Sequence, residues 1–350
     1  MMATTTFTET MVTSSSRAVP WWRSPGFVRP VVLLVIAVAV LVAGRIFSAG
    51  LPSWGAAEAI VTQSLFVAVL AFGQGLVMLI GGLDLSIPGV IALSATTVAL
   101  WTSAFKGDAL TGVLIALACS ALVGLIDGFL IARFQIPAFI VTLAMGGVLT
   151  GLTIGVTFGR TAPPSPAAIV LLFSGSGKLF GVGIPVVVFI LVGIIGYFIQ
   201  SRSTWGRRVY LFGSSPAASR LSGVPVRRVE ISVYVVGALA SGIAGIMLLG
   251  FSGNAQLSLG DEWMMPAIAA VLVGGTVIGS GYGFWQSTLM SCVLLTTITV
   301  VIQATGFSQG WKNVLYGVVV LLALLLMRRG TGRSPMRLLQ NRIRRTAGGN

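Results

Sequence analysis

Ten runs of mostly apolar residues follow one another along this chain, most of them close to the roughly 20 residues that an α-helix needs to cross a bilayer. No water-exposed arrangement accommodates that many. With 55% hydrophobic and 9% charged residues, the 350-residue chain lacks the charge of a soluble surface, where about a quarter of the residues are ionic. A soluble enzyme, a secreted disulfide scaffold and a disordered chain are excluded. The runs fall at 29–47, 58–80, 87–105, 109–132, 136–158, 184–200, 231–250, 264–280, 284–304 and 311–327. The expected fold is therefore all-α, a polytopic membrane bundle of about ten transmembrane helices. The third and eighth runs are short and bordered by glycine-rich breaks, which leaves them open as re-entrant segments. Both must be re-entrant, or neither, if the two basic ends are to share one side.

The formal charge of +14, from 22 Lys+Arg against 8 Asp+Glu, reads as topology and not as a nucleic-acid footprint. Arg17, Arg23 and Arg29 precede the first run. Arg202, Arg207, Arg208, Arg220, Arg227 and Arg228 share one loop, and Arg328, Arg329, Arg333, Arg337, Arg342, Arg344 and Arg345 crowd the tail. An alternating chain puts all of these and Arg133 on one side, with Arg45, Lys106, Arg160, Lys178 and Lys312 on the other. Basic loops stay cytoplasmic, so both termini are expected there. The chain then divides into a Thr/Ser-rich disordered N-terminus (1–28), a transmembrane domain (29–327) with a cytoplasmic loop at 201–230, and a basic cytoplasmic tail (328–350). The first run is read as an uncleaved anchor.

Small residues recur every fourth position at Gly147, Gly151, Gly155 and Gly159, at Gly275, Gly279 and Gly283, and at Gly237, Ser241 and Gly245. Each row predicts a smooth helical face for tight packing within the bundle, and such faces also let helices slide. Cys119 and Cys292 sit inside apolar runs without metal-ligand spacing and are read as packing residues. No metal or cofactor is implied.

There is no histidine, so histidine metal sites, triads and proton relays are ruled out. Among the acids only Asp84 and Asp127 lie well inside apolar surroundings, little for a carrier that binds a coupling ion near the midplane. Asp127, about two turns before Arg133, is as well explained by a structural pairing. Gly177-Lys178 suggests a phosphate loop, but Leu172 stands where that pattern needs glycine and Leu179 where it needs Ser or Thr. Energy from a nucleotide must then come from a partner.

Two segments are more informative. In Gly81-Gly82-Leu83-Asp84-Leu85-Ser86-Ile87-Pro88-Gly89 the glycines and proline break the helix, Ser86 is placed to cap the next one, and Asp84 sits at the break. That is a capped turn between spans, or a carboxylate lining a polar cavity. In the basic loop, Gly213 to Val224 reads as one short amphipathic helix with Ser215 as N-cap, Pro216 at the first helical position and Gly223 as its stop. Such a helix lies on anionic headgroups or docks on a cytoplasmic partner.

Those two segments, with Ile136-Pro137-Ala138-Phe139-Ile140-Val141-Thr142-Leu143 and Ala267-Ile268-Ala269-Ala270-Val271-Leu272-Val273-Gly274-Gly275-Thr276, resemble the permease subunits of ribose-type carbohydrate ABC importers. The resemblance runs from about Thr62 to Leu326. It implies a multi-pass subunit of the bacterial cytoplasmic membrane. Its partners would be cytoplasmic ATP-binding subunits, an extracytoplasmic sugar-binding protein and a second permease copy or paralogue. It further implies that Gly213, Ser215, Pro216, Ala217, Ala218, Arg220 and Gly223 belong to a coupling helix gripped by the ATPase, so that ATP closure switches a central cavity between outward and inward access. The chain itself would be no enzyme. Where relatives carry a Tyr-Glu-Leu-Asp type of stretch, this chain has Asp261-Glu262-Trp263-Met264-Met265-Pro266. Sugar recognition calls for amides, carboxylates and aromatic rings, so Phe139, Asn254, Gln256, Trp263 and Gln303 join Gly81, Gly82, Asp84 and Ser86 as candidates for the translocation path. The alternative function is a proton- or sodium-coupled carrier of a small polar solute.

Overall fold

The computed structural model describes residues 25–160, 163–179, 181–305 and 309–331. Residues 1–24 of the expected disordered N-terminus and 332–350 of the expected tail lie outside the described residues, while 25–28 and 328–331 are helical. Every apolar run of the sequence is recovered as a helix. In order these are α1 (Pro25–Ala43), α2 (Trp54–Leu79), α3 (Ile87–Ser103), α4 (Ala109–Phe134), α5 (Ala138–Thr157), α7 (Ile184–Tyr197), α10 (Val226–Ser252), α11 (Asp261–Val273), α12 (Trp285–Ala304) and α13 (Gln309–Thr331). Elements that the hydropathy pattern does not signal fill the connections: α6 (Ala167–Phe173), a two-stranded hairpin of β1 (Lys178–Leu179) and β2 (Val182–Gly183), and the paired helices α8 (Thr204–Ser214) and α9 (Pro216–Leu221).

Among the described residues seven helices are long and apolar enough to cross a bilayer, α7 among them once a π-helical turn (Phe198–Arg202) extends it. The third and eighth runs are the short ones. α3 has 17 residues, and α11 has 13, about 20 Å of rise against a hydrocarbon layer of roughly 30 Å. α11 stops at Val273, well short of residue 280, because Gly275, Gly279 and Gly281 adopt φ of +85°, +64° and +59°, and Val277 pairs with Tyr282 in a tight turn. The spacing of Gly275, Gly279 and Gly283 therefore marks a turn and not a helical face.

α2 and α10 form the inner pair. The membrane window of α2 is 78% buried within the chain, against 6% for α1, which packs on α12 at the periphery. α10 runs along α4, α2 and α3. In lipid no hydrophobic force drives helices together, so contact depends on close backbone approach. A Cβ on Gly128 of α4 would stand 2.8 Å from Ile231 Cα of α10, and one on Gly124 2.8 Å from the Ala238 methyl. In the Gly237, Ser241 and Gly245 row of α10, Ser241 is buried and a Cβ on Gly245 would stand 2.6 Å from the Ile91 carbonyl. The α5 row behaves otherwise. Around Gly147, Gly151 and Gly155 a Cβ meets nothing within 4 Å. Their expected role in packing the bundle does not hold, and this face of α5 has no neighbour among the described residues.

Gly128→Val should accordingly lower the stability of the detergent-solubilised chain by about 1–3 kcal/mol, the usual range for overpacking, whereas Gly151→Val should leave it unchanged. Thermal melting followed by tryptophan fluorescence reads both, and equal melting temperatures for the two variants would contradict the α4–α10 packing.

Candidate functional site

α2 ends in carbonyls that no helical turn satisfies, and glycine amides gather on them. The Gly82 N–H donates to Val77 O (2.9 Å) and that of Gly81 to Met78 O (3.0 Å). From the α11–α12 turn, Gly279 N–H donates to Met78 O (2.9 Å) and Gly281 N–H to Leu79 O (3.3 Å). Glycine is required at 81 by its φ of +91°, and at 82 because a Cβ would run into the Tyr234 hydroxyl. Asp84, 3% exposed, accepts the Ser86 N–H (2.8 Å) and the Ser86 hydroxyl (2.6 Å) on one oxygen. This corrects the expectation for Ser86. Its hydroxyl makes no capping bond to α3, because it is turned to Asp84, whose short carboxylate reaches the amide two residues on.

Thr142 of α5 ties this break down: its hydroxyl oxygen accepts the Leu85 N–H and lies 3.0 Å from the carbonyls of Leu83 and Ala138. The Gly81–Ser86 and Ile136–Leu143 segments, 50 residues apart in the chain, are thus one structural unit. A cavity of about 190 Å³ beside it is lined by Gly81, Gly82, Gln135, Glu230 and Tyr234. Asp127 of α4 is 2% exposed, and its Oδ1 has no hydrogen-bond partner among the described residues. The pairing with Arg133 is not formed, since that guanidinium lies over the Phe134 ring at 5.9 Å. Phe139 is 53% exposed at the start of α5 and lines none of the cavities described here.

The basic loop folds as two helices instead of one. Ser203 caps α8 by accepting the Gly206 N–H (2.8 Å), and Ser215 caps α9 by accepting that of Ala218 (3.3 Å). Pro216 opens α9 and Gly223, with φ of +76°, follows its end, as the sequence indicates. Gly213 belongs to α8, where it abuts the Leu79 carbonyl and Gly281. Tyr210 donates its hydroxyl to Gly283 O (2.8 Å) and accepts from Gln200 Nε2 (2.8 Å), while Trp205 Nε1 donates to Ser232 of α10 (2.8 Å). α8 is therefore fastened to α10 and to the α11–α12 turn. α9 projects from it with Pro216, Ala217, Ala218 and Arg220 exposed and Leu221 91% exposed.

At the opposite end of the bundle, a cavity of about 290 Å³ lies between α2, α10, α11, α12 and α13. Trp263 and Gln303, both sequence candidates, share it. Asn254 and Gln256 occupy the adjoining turn, where Gln256 Nε2 donates to Asn254 Oδ1 (3.2 Å) and Asn254 pairs with Pro164, and they do not line it. Gln63, Thr296, Thr299, Lys312 and Tyr316 also line it. A search confined to span ends and breaks passes over Gln63, Thr296 and Thr299, whose only signal is a hydrogen-bonding side chain in an apolar run. The single set of path candidates thus divides between two sites, one at each end.

Residues 56–325 match a family described as "Branched-chain amino acid transport system / permease component". The chain belongs to this permease family. It is 33% identical to the ribose import permease protein RbsC of Escherichia coli (strain K12) over 76% of this chain and 84% of that one. It is 31% identical to the ribose import permease protein RbsC of Bacillus subtilis (strain 168) over 75% and 81% of the respective chains. The fructose import permease protein FrcC of Rhizobium meliloti is 29% identical over 84% and 82%. The resemblance to ribose-type import permeases that the motifs carry is borne out.

Burial holds the Tyr210 phenol of this permease neutral, pushing it from the ordinary 10 up to about 12 against a smaller downward pull from Gln200. A value raised in the folded state means stability that is complete below pH 10 and lost as the pH rises through about 12. The purified permease should lose stability in that window more steeply than Tyr210→Phe, which should itself be about 1–2 kcal/mol less stable at pH 7 for want of its hydrogen bonds. Identical pH profiles for the two would mean that Tyr210 does not fasten α8.

Proposed function

We propose that this permease is the transmembrane subunit of an ATP-binding-cassette importer that carries a sugar or sugar-like solute delivered by an extracytoplasmic binding protein. α8 and α9 then face the cytoplasm, as do both termini, in the cytoplasmic membrane of a bacterium. The observation that carries the reading is the contrast within the basic loop: α9 packs inward at Ser219 and turns Pro216, Ala217, Ala218, Arg220 and Leu221 outward, while α8 is bonded to the inner bundle. A short exposed helix on a stiff mount suits docking on a cytoplasmic ATP-binding subunit.

On this reading, closure of the ATP-binding subunits displaces α9, and α8 passes the displacement along its bonds. Gly213 bears on the end of α2, Tyr210 on the α11–α12 turn and Trp205 on α10. The inner pair, α2 and α10, is thereby moved relative to the helices around it, and the path alternates between outward and inward access. Hydrolysis in the partner resets it. The Gly81–Ser86 break, held by Asp84 and Thr142, is the point about which α2 and α3 turn. The second permease copy or paralogue takes the vacant glycine face of α5, which leaves room for a close approach. Proton- or sodium-coupled transport is the second reading, favoured by the buried carboxylates of Asp84 and Asp127.

Ala218→Pro removes the N–H that Ser215 caps, and Arg220→Glu reverses an exposed charge. Each should lower co-purification of the ATP-binding subunit about tenfold, some 1.4 kcal/mol of binding, with unchanged abundance in the membrane. Wild-type yield of the complex from both variants would remove α9 from the docking role. Uptake that needs no ATP and collapses with uncouplers would establish the coupled-carrier reading instead.

A further inference from the structure

We infer that the 290 Å³ cavity at the end of the bundle away from α8 and α9 is a solute-contact site for a neutral polyhydroxylated ring. Trp263 offers the ring a stacking face, and Gln63, Thr296 and Gln303 are its hydroxyl partners. The inference rests on the import reading and adds to it a location and the residues that meet the solute.

Trp263 is held in place from behind. The fully buried Phe66 meets it edge-on, with centroids 5.5 Å apart and planes at 85°, and Phe66 is itself wedged by Phe251 at 5.2 Å. A fixed indole beside polar groups is the arrangement that recognises the apolar face of a sugar ring. The hydrogen-bond inventory of the wall points the same way. In spanning helices a buried hydroxyl bonds back to the carbonyl one turn earlier, as Thr297 does to Val293 O (2.7 Å) and Thr299 to Leu295 O (2.9 Å). Thr296 departs from this: it is 3% exposed, lines the cavity, and its hydroxyl has no partner among the described residues. The amides of Gln63 and Gln303 are likewise unpartnered among the described residues. Since Thr299 spends its proton on Leu295, the Tyr316 hydroxyl donates to Thr299 and its own oxygen is left as an acceptor.

Charge selects among polar solutes. Glu262 and Lys312 line the same cavity and act on each other electrostatically, so the wall carries no net charge. A solute with a net charge would leave that charge unbalanced in the cavity, whereas a neutral polyol does not. Leaving a buried hydrogen-bonding group unpaired is the main cost of admitting the wrong solute. Of Thr296, Gln63 and Gln303, the buried Thr296 imposes that cost on any solute lacking hydroxyls.

The test uses the complete complex, with its ATP-binding subunits and binding protein, in proteoliposomes offered radiolabelled D-ribose, D-fructose, D-xylose and L-leucine in turn. ATP-driven uptake of at least one sugar and none of leucine is expected. Trp263→Ala and Thr296→Val should each lower that uptake about tenfold, the scale of one lost hydrogen bond or stacking contact. Trp263→Phe and Thr296→Ser should restore most of it, with equal recovery of the assembled complex in all four variants. Wild-type uptake by both Trp263→Ala and Thr296→Val, or failure of both conservative variants to restore it, would overturn the site. Leucine carried in preference to the sugars would overturn the solute class and leave the importer standing. Failure of the wild-type subunits to assemble, or to move any of the four probes with ATP, would overturn the import reading itself.

Discussion

The last carbonyls of α2 govern the architecture around them. A helix that ends against other helices in a membrane protein leaves backbone acceptors with no water to satisfy them. Val77, Met78 and Leu79 receive amides from their own following turn and from a second turn about 200 residues later in the chain. For that second turn to reach them, α11 has to stop early and the chain has to fold back through three left-handed glycines. The short α11, the break after α2 and the seating of α8 are consequences of a single requirement. Removing any one would leave buried backbone groups unpaired.

The two ends of the bundle are built on different principles. Around α8 the contacts are directional hydrogen bonds, from Tyr210 to Gly283 and from Trp205 to Ser232. At the far end, the described residues pair some polar groups and leave others open. In the proposed importer the two sites lie at opposite ends of the bundle, so a partner docked at α9 would not touch the solute.

Hydropathy made the ten apolar helices and their order legible, because lipid imposes length and apolarity on a span. Ser215, Pro216 and Gly223 were readable for a related reason: caps and stops are local chemistry. Other features need neighbours that sequence does not display. The spacing of Gly275, Gly279 and Gly283 fits a helical face as well as a turn, and only the carbonyls of α2 decide between them. Ser86 was suited to capping α3, but its hydroxyl is turned toward Asp84, two residues away, and donates there instead of accepting from α3. Trp263 and Gln303 were found because they stand near helix ends. Thr296 and Gln63 were missed because a hydroxyl or amide in mid-span normally satisfies itself or faces a neighbour, and its being unpartnered is visible only in three dimensions.

The bare side of α5 has a mechanical meaning. Where α4 crosses α10, glycines bring the two helices so close that a single added Cβ would clash. Along Gly147, Gly151 and Gly155 there are no side chains to interlock. A neighbour lying against that strip would meet no knobs to lift out of holes, so the residue type that closes one joint of this molecule leaves another face smooth.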